Sequence, residues 1–134
     1  MSGLVLKMSP KERVLINGAV LENGPRRSRF SIITPSAHVL RLKDAIHPDE
    51  ANTPVGRLCY ELQLILSGHS DHATKYDRIA YQLDKLRDIL RDPFCQDHLQ
   101  HASRAIAQGR IYSALKSIKA LLPIERELLS YKIA

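Results

Sequence analysis

The sequence predicts an α+β protein in which a small antiparallel β element of about five short strands precedes a bundle of about four α-helices. Apolar residues alternate with period two in the first third of the chain, and from about Asp49 they recur at spacings of three and four. With 134 residues, the chain has enough length for one shared core. Residues 1–47 and 48–134 are therefore interpreted as two parts of one compact unit.

Turn signals separate the strands of the first part. Asn17-Gly18 lies between the apolar runs RVLI and AVLE, and this dipeptide favours a two-residue hairpin because both residues tolerate positive φ. A second turn at Asn23-Gly24-Pro25 precedes the run RRSRFSII, and HVLRLK is the last candidate strand. With LVLKM near the start, the pattern gives about five antiparallel strands.

Alternation assigns the strand side chains to two faces. The face expected to be buried carries Leu4, Leu6, Met8, Val14, Ile16, Phe30, Ile32, Leu40 and Leu42. The opposite face carries the basic residues Lys7, Arg13, Arg29, Arg41 and Lys43. That face also carries four apolar residues, Val5, Leu15, Ile33 and Val39. A second buried surface on this face therefore stays an alternative. An element of this size buries too little on its own, so it is expected to pack on the helices, on a second copy, or on both.

Two Pro-containing N-caps mark the helical part. Thr53-Pro54 and Asp92-Pro93 each place a capping side chain before a proline at the first helical position. The predicted helices span about residues 54–67, 71–91, 93–108 and 111–122. A short amphipathic tail, IERELLSYKIA, closes the chain.

The positive charge lies in the β element. Residues 1–43 hold eight basic and two acidic side chains, which is the whole net charge of +6, while residues 44–134 hold 12 of each sign. Such asymmetry favours contact with a polyanion, although a solvated basic face fits the charge equally well. The residues predicted to bind RNA are Lys7, Arg13, Arg26, Arg27, Arg29, Arg41 and Lys43. Because Phe30 is the only aromatic residue in this part, the predicted binding is electrostatic rather than based on stacked bases.

Motifs for other functions are missing from the sequence. It contains no nucleophile elbow, phosphate loop, dinucleotide fingerprint or zinc-protease motif, so an enzyme is not predicted and no cofactor is expected. Cys95, His98 and His101 recur every third residue, which swings the last side chain off the shared helix face, so no metal site is predicted. No window suits a signal peptide or a membrane span, and a cytoplasmic protein is expected.

Three stretches carry a resemblance to a known family. LVLKMSPKERVLINGAVLENGPRRSRFSI, ANTPVGRLCYELQLIL and GRIYSALKSIKALLPIERELL together resemble the FlbT family of bacterial flagellin regulators over nearly the whole chain. The resemblance implies post-transcriptional control of flagellin synthesis, through binding to the 5′ untranslated region of flagellin mRNA and a change in its translation or stability. Family members include repressors and activators, and the resemblance carries over no RNA-binding residue.

The sequence leaves a second class of function open. In this alternative, the helices bind flagellin or another flagellar regulatory protein, as an adaptor or chaperone would, and effects on mRNA are indirect. Its support comes from the scarcity of aromatic residues near the arginines and from the amphipathic tail around Leu128, Leu129 and Ile133. A homo-oligomer formed through the β element is a further expectation.

Overall fold

The β element forms two small antiparallel sheets. In this computed structural model, which describes residues 4–34, 37–68 and 72–133, the strands are β1 (Leu4–Met8), β2 (Arg13–Ile16), β3 (Ala19–Glu22), β4 (Ser28–Ile32) and β5 (Val39–Arg41). β1 pairs with β4, and the second sheet has the order β3-β2-β5. The α+β class and the five short strands are confirmed, but the strands do not make a single sheet.

The hairpin between β2 and β3 forms where the sequence predicts it. Ile16 pairs with Ala19, and Asn17 and Gly18 between them have φ values of 51° and 85°. Both values are positive, as a two-residue turn of this type requires, and glycine adopts such a φ without a steric penalty.

The two sheets pack face to face. Their shared core contains the buried residues Leu6, Met8, Val14 and Val39, with Ile16, Phe30 and Ile32 packed around them. Two residues expected in this core are not there: Leu4 and Leu42 are each 39% exposed. Leu42 differs because β5 ends at Arg41 and the chain turns into a 3-10 segment, so strand alternation no longer applies.

The second sheet also packs on the helices. Leu15 pairs with Leu40, and both side chains belong to the cluster that contains the helical core. Strand alternation in the sequence predicts that Leu40 lies on the same face as Val14. In the structure Leu40 is paired with Leu15, so it lies on the face that meets the helices. The second buried surface left open by the sequence is therefore present at Leu15, which faces the helices, whereas Val39 lies in the core between the two sheets and Val5 and Ile33 remain exposed.

Five helices follow the strands in the described part of the chain. They are α1 (Pro54–Leu66), α2 (His72–Ile89), α3 (Pro93–Ala107), α4 (Ile111–Lys119) and α5 (Leu122–Ile133). The extra helix is the predicted tail, which begins earlier than expected because Pro123 lies in its first turn, where proline costs no hydrogen bond. The predicted start of α2 at residue 71 lies outside the described residues.

Both predicted N-caps are confirmed. Thr53 Oγ1 accepts a hydrogen bond from Gly56 N at 3.1 Å, and Asp92 Oδ2 accepts one from Cys95 N at 3.2 Å. A second group stabilises the start of α1. Glu125 of α5 is buried, and its carboxylate accepts hydrogen bonds from Val55 N at 2.9 Å and from Thr53 Oγ1 at 2.5 Å. A carboxylate at a helix N-terminus is favourable because the helix dipole is positive there.

Polar contacts join the end of β5 to the helices. Tyr112 Oη donates to Asp44 Oδ2 at 2.8 Å, and Lys119 Nζ donates to the Asp44 carbonyl at 2.8 Å. The Gln63 side chain donates to the Ile46 carbonyl at 3.1 Å and accepts from its N–H at 2.8 Å. These contacts hold α1 and α4 against the β element. The domain boundary at residue 47 stays a prediction.

None of the helices in the described ranges has the length and apolar character needed to cross a bilayer.

Candidate nucleic-acid interface

The seven predicted RNA-binding residues fall into two groups. Lys7, Arg26, Arg27 and Arg29 are exposed, and no carboxylate of residues 4–34, 37–68 or 72–133 lies within ion-pair distance of them. Arg13, Arg41 and Lys43 each lie within 4.0 Å of a carboxylate. Among the described residues, the first group therefore has no carboxylate near enough to offset its positive charge, whereas the second group shares the carboxylates of Glu12 and Glu22.

Lys7 and Arg29 occupy the outer face of the β1–β4 sheet. They are directly opposite each other in the register, and Val5 pairs with Ser31 on the same face. Leu6 and Met8, which alternate with them, are buried against the other sheet. Like charges directly opposite across two strands are destabilising, so the fold gains nothing from this pair.

Arg27 joins Lys7 and Arg29 around one depression of about 390 Å³. The depression, called the basic hollow below, is lined by Lys7, Met8, Ser9, Arg27, Ser28 and Arg29. Three cations line it together with the Ser9 hydroxyl, while the Ser28 hydroxyl donates to Asn23 Oδ1. Arginine and lysine are the side chains that bind phosphate groups, and a serine hydroxyl adds a hydrogen bond to a phosphate oxygen.

Asn23 holds the arginine-bearing loop in place. Its Nδ2 donates to the carbonyls of Ser9 at 2.8 Å and Arg26 at 2.9 Å, and its Oδ1 accepts from Ser28 Oγ at 2.7 Å. Its own N–H donates to the Glu12 carbonyl at 2.8 Å. The sequence marked Asn23 only as a turn residue, because its partners in the loop before β2 are distant along the chain.

Arg41 is engaged inside the β element. Its Nε and Nη2 donate to the two carboxylate oxygens of Glu12 at 2.7 Å each, and Nη2 also donates to the Lys7 carbonyl at 2.6 Å. The Arg41 and Glu12 side chains are 12% and 7% exposed. Hydrogen bonding from Arg41 lowers the pKa of Glu12 to about 2, and the carboxylate raises the pKa of Arg41.

The expected exposure of Arg41 on a basic face is therefore wrong. Arg41 and Leu40 lie on opposite faces of β5, as alternation requires. The face that carries Arg41 is covered by the β1–β4 sheet. Its guanidinium links the two sheets by binding Glu12 and the backbone of β1. Whether Arg41 contacts RNA stays a prediction without support from its position.

Arg13 and Lys43 are exposed, but each lies close to a carboxylate. Arg13 Nε lies 2.9 Å from Glu22 Oε1 across the β2–β3 hairpin, and Lys43 Nζ lies 4.0 Å from Glu12 Oε2. The Arg13–Glu22 pair is exposed on both sides, and such pairs contribute little to stability and are screened by salt. Both residues keep side chains accessible to a ligand, but their local potential is weaker than that of the basic hollow.

The other residues considered for chemistry do not form a site. No group of three potential metal ligands occurs among the residues that the structure describes. Cys59 and Cys95 are buried and unbonded, and burial raises the pKa of each thiol to about 12. Both cysteines are therefore packed as neutral apolar side chains.

The fold and this surface define a small α+β protein with a cationic patch held on a two-sheet β element. A family model described as "Flagellar protein FlbT" matches residues 4–129, which is nearly the whole chain. The chain belongs to the FlbT family.

Relatives with similar sequences cover most of the chain. A protein from Rhodopseudomonas palustris (strain TIE-1), named "Probable flagellum biosynthesis repressor protein FlbT", is 31% identical over 95% of this chain and 98% of its own length. A protein of the same name from Chelativorans sp. (strain BNC1) is 30% identical over 93% of this chain and 85% of its own length. The "Flagellum biosynthesis repressor protein FlbT" of Caulobacter vibrioides (strain ATCC 19089) is 27% identical over 96% and 90%. These names describe repressors rather than enzymes, and no solved structure matches the chain.

Proposed function

We propose that this protein is a post-transcriptional regulator of flagellin synthesis that binds the 5′ untranslated region of flagellin mRNA and alters its translation or stability. The observation that carries the proposal is the convergence of Lys7, Arg27 and Arg29 on the basic hollow, with no carboxylate of the described residues close enough to neutralise them. Because the named relatives are repressors, repression is the proposed outcome. Because mRNA is a cytoplasmic ligand, the proposed location of the protein is the cytoplasm.

Electrostatics supports an RNA ligand. A polyanion that meets several lysines and arginines releases condensed counterions, and this release is favourable whatever the base sequence. Arg29 lies directly opposite Lys7 on the neighbouring strand, and no carboxylate of the described residues pairs with it. A bound phosphate would relieve the repulsion between the two cations. Asn23 fixes the loop that carries Arg26 and Arg27, so less conformational entropy is lost when a ligand binds.

The proposal is tested with purified protein and the flagellin leader RNA. The variant Arg26→Ala/Arg27→Ala/Arg29→Ala should keep its circular dichroism spectrum and melting temperature, because these side chains are exposed. It should bind the leader at least tenfold more weakly, since each lost phosphate contact removes part of the electrostatic free energy. A folded triple variant with wild-type affinity would overturn the proposal.

A second readout tests the regulatory outcome. A reporter gene fused to the flagellin leader should be expressed at a lower level when the wild-type protein is present. The triple variant should relieve this repression, and a reporter with an unrelated leader should respond to neither protein. Equal repression by both proteins would show that repression does not depend on the basic hollow.

One observation favours a second candidate function, in which the helices bind flagellin or another flagellar regulatory protein. Helix α5 exposes Leu128, Leu129 and Tyr131, which are 45%, 38% and 70% accessible. Apolar side chains exposed on one helix are typical of a surface that receives a partner. Co-purification after ribonuclease treatment distinguishes the two: a flagellin complex that survives ribonuclease and is lost in Leu128→Ser/Leu129→Ser supports this candidate.

The β element also offers a surface for a second copy of the chain. β3 lies at the edge of its sheet, and all four of its residues are exposed. An exposed edge strand presents unpaired backbone groups that another strand can pair with. Homo-oligomerisation through this edge is proposed, and light scattering of the wild type and of Val20→Lys, which places a charge on β3, tests it.

A further inference from the structure

A second opening with cationic walls lies where the β1–β4 sheet meets the turn between α3 and α4. It is a cleft of about 650 Å³. One wall comes from Leu4, Val5 and Ile32 of the β element, and the other comes from residues 108–113 and Lys116. Gly109, with a φ of 75°, makes the tight turn that presents this second wall. The cleft is called the turn cleft below.

The turn cleft combines positive charge with apolar surface. Arg110 and Lys116 are both exposed, and the part of the chain that the structure describes places no carboxylate within 4.0 Å of either. Arg110 Nη1 donates to Gln108 Oε1 at 3.3 Å, which turns the guanidinium along the same wall. Leu4 and Val5 expose apolar surface opposite these cations. A nucleotide carries the matching pair of groups, since its phosphate is anionic and its base has apolar faces.

An aromatic side chain lies in the same wall. Tyr112 lines the cleft, its hydroxyl is held by Asp44 at 2.8 Å, and Lys116 Nζ lies 5.7 Å from its ring centroid. The sequence placed no stacking residue other than Phe30 near the basic strands. The fold supplies Tyr112 from α4, and an aromatic ring in a wall that also carries cations is a usual setting for an unpaired base.

The turn cleft and the basic hollow both border β1. Val5 lines the cleft and Lys7 lines the hollow, and the two side chains share the outer face of the strand. Residues two apart in a strand are separated by about 7 Å, so a single ligand can occupy both openings. A nucleic-acid strand carries negative charge at every repeat, which suits cations at both ends of this path better than an acidic peptide with local charge does.

We infer that the turn cleft binds an unpaired, single-stranded segment of RNA, with Arg110 and Lys116 on its phosphates, while the basic hollow holds the adjoining segment. This inference rests on the proposed function and extends the interface to residues 44–134, whose net charge is zero. A recess between two packed elements admits a flexible strand, whereas a duplex presents its phosphates on a rigid convex surface. The helices then contribute to RNA binding as well as supporting the β element.

The test compares three double variants that each remove two positive charges. Arg110→Ala/Lys116→Ala changes the turn cleft, and Lys7→Ala/Arg29→Ala changes the basic hollow. Lys85→Ala/Arg126→Ala is the matched control, because both residues are exposed and line neither opening. Each full-length variant, first checked for wild-type melting temperature, is titrated by fluorescence anisotropy with three RNAs over a range of salt concentrations. The RNAs are the flagellin leader, an unstructured 12-nucleotide oligouridine and a blunt duplex.

The expected result is selective. The turn-cleft variant should bind oligouridine at least fivefold more weakly, and its salt slope should fall by about 1.4, or about 0.7 for each contact to a single strand. Its affinity for the duplex should stay within twofold of the wild type, and the control variant should match the wild type with all three RNAs. Polyglutamate at equal charge should not displace oligouridine from the wild-type protein.

Three outcomes would overturn the inference. Wild-type affinity of the turn-cleft variant for oligouridine, combined with weaker leader binding by the basic-hollow variant, would reject the cleft and leave the proposed function intact. Displacement of oligouridine by polyglutamate would assign the cleft to acidic peptides. Unchanged leader binding by both variants would reject the inference together with the proposed function.

Discussion

Arg29 and Arg41 belong to the same β element and have opposite surroundings. Arg29 lies on the outer face of the β1–β4 sheet opposite Lys7, with no carboxylate of the described residues in ion-pair range. Arg41 lies between the two sheets, where Glu12 accepts two hydrogen bonds from it and the Lys7 carbonyl accepts a third. One arginine is held by the fold, and the other is available to a ligand.

This difference shows that the number of charges in a segment does not give its binding capacity. The first 43 residues hold the entire net charge of +6. Arg41 contributes to stability rather than to surface potential, because Glu12 neutralises it within the structure. Four predicted cations, Lys7, Arg26, Arg27 and Arg29, remain for a polyanion. Within the described part of the chain no carboxylate pairs with them, and this supports a role in binding.

Arg41→Met should give the largest effect on stability. The change leaves Glu12 buried without its partner, and breaking a buried ion pair in this way costs about 3–5 kcal/mol of unfolding free energy. Urea denaturation measures the loss. Arg29→Met is the matched control and should leave the unfolding free energy within about 0.5 kcal/mol of the wild type, as for other exposed sites. Equal losses in both variants would remove the distinction between the two arginines.

Glu12→Gln should cost about 2 kcal/mol at pH 7, because hydrogen bonds to charged groups are worth more than neutral ones. Since the folded-state pKa of Glu12 is about 2 and its ordinary value is 4.5, the wild type holds this stability above pH 4.5 and loses it as the pH falls toward 2. The difference between wild type and variant should therefore shrink over that range. Denaturation series at pH 7, 5, 4 and 3 measure it, and a constant difference would contradict the assigned pair.

Asn23→Ala should cost about 1–2 kcal/mol, since it removes hydrogen bonds to Ser9, Arg26 and Ser28. RNA affinity should fall by a smaller factor than in the triple arginine variant, because the cations remain but the loop is less ordered. Hydrogen exchange of the loop and a leader titration measure the two effects. Asn52→Ala is a control at an exposed asparagine outside the β element. Faster exchange with unchanged affinity would show that loop order does not matter for binding.

Lys7→Glu should change the unfolding free energy least of these variants, and it should raise this energy rather than lower it. Replacing a like-charge pair with an opposite-charge pair across β1 and β4 should stabilise the fold by about 0.5 kcal/mol, while RNA binding weakens. Thermal denaturation and leader titration give both quantities. Lys11→Glu, in the exposed turn before β2, is the control for net charge. A destabilised Lys7→Glu variant would show that Lys7 has a structural partner.

Local signals predicted much of the fold. Asn17-Gly18 gave the hairpin, and Thr53 and Asp92 gave the helix starts, because each depends on residues within three positions of the signal. The division into two sheets was missed because strand alternation describes one strand at a time and does not say which sheet covers a face. The burial of Arg41 was missed for the same reason, because the β1–β4 sheet covers the face of β5 that carries it.

The candidate site was predicted only in part for the same reason. Lys7, Arg27 and Arg29 were identified by charge, and the structure brings them to one hollow. Arg110, Tyr112 and Lys116 were not identified, because they lie about 80 residues farther along the chain, within residues 44–134, which have no net charge. No local pattern in the sequence indicates that the turn between α3 and α4 meets β1.

The most direct test of the central claim compares the salt dependence of leader binding for two double variants of equal charge. Lys7→Ala/Arg29→Ala removes unneutralised cations, and Arg13→Ala/Lys43→Ala removes cations that share carboxylates. The slope of log K against log salt should fall by about 1.4–1.8 in the first variant and by less than about 0.5 in the second. Equal reductions in both variants would mean that total charge, rather than the basic hollow, binds the RNA.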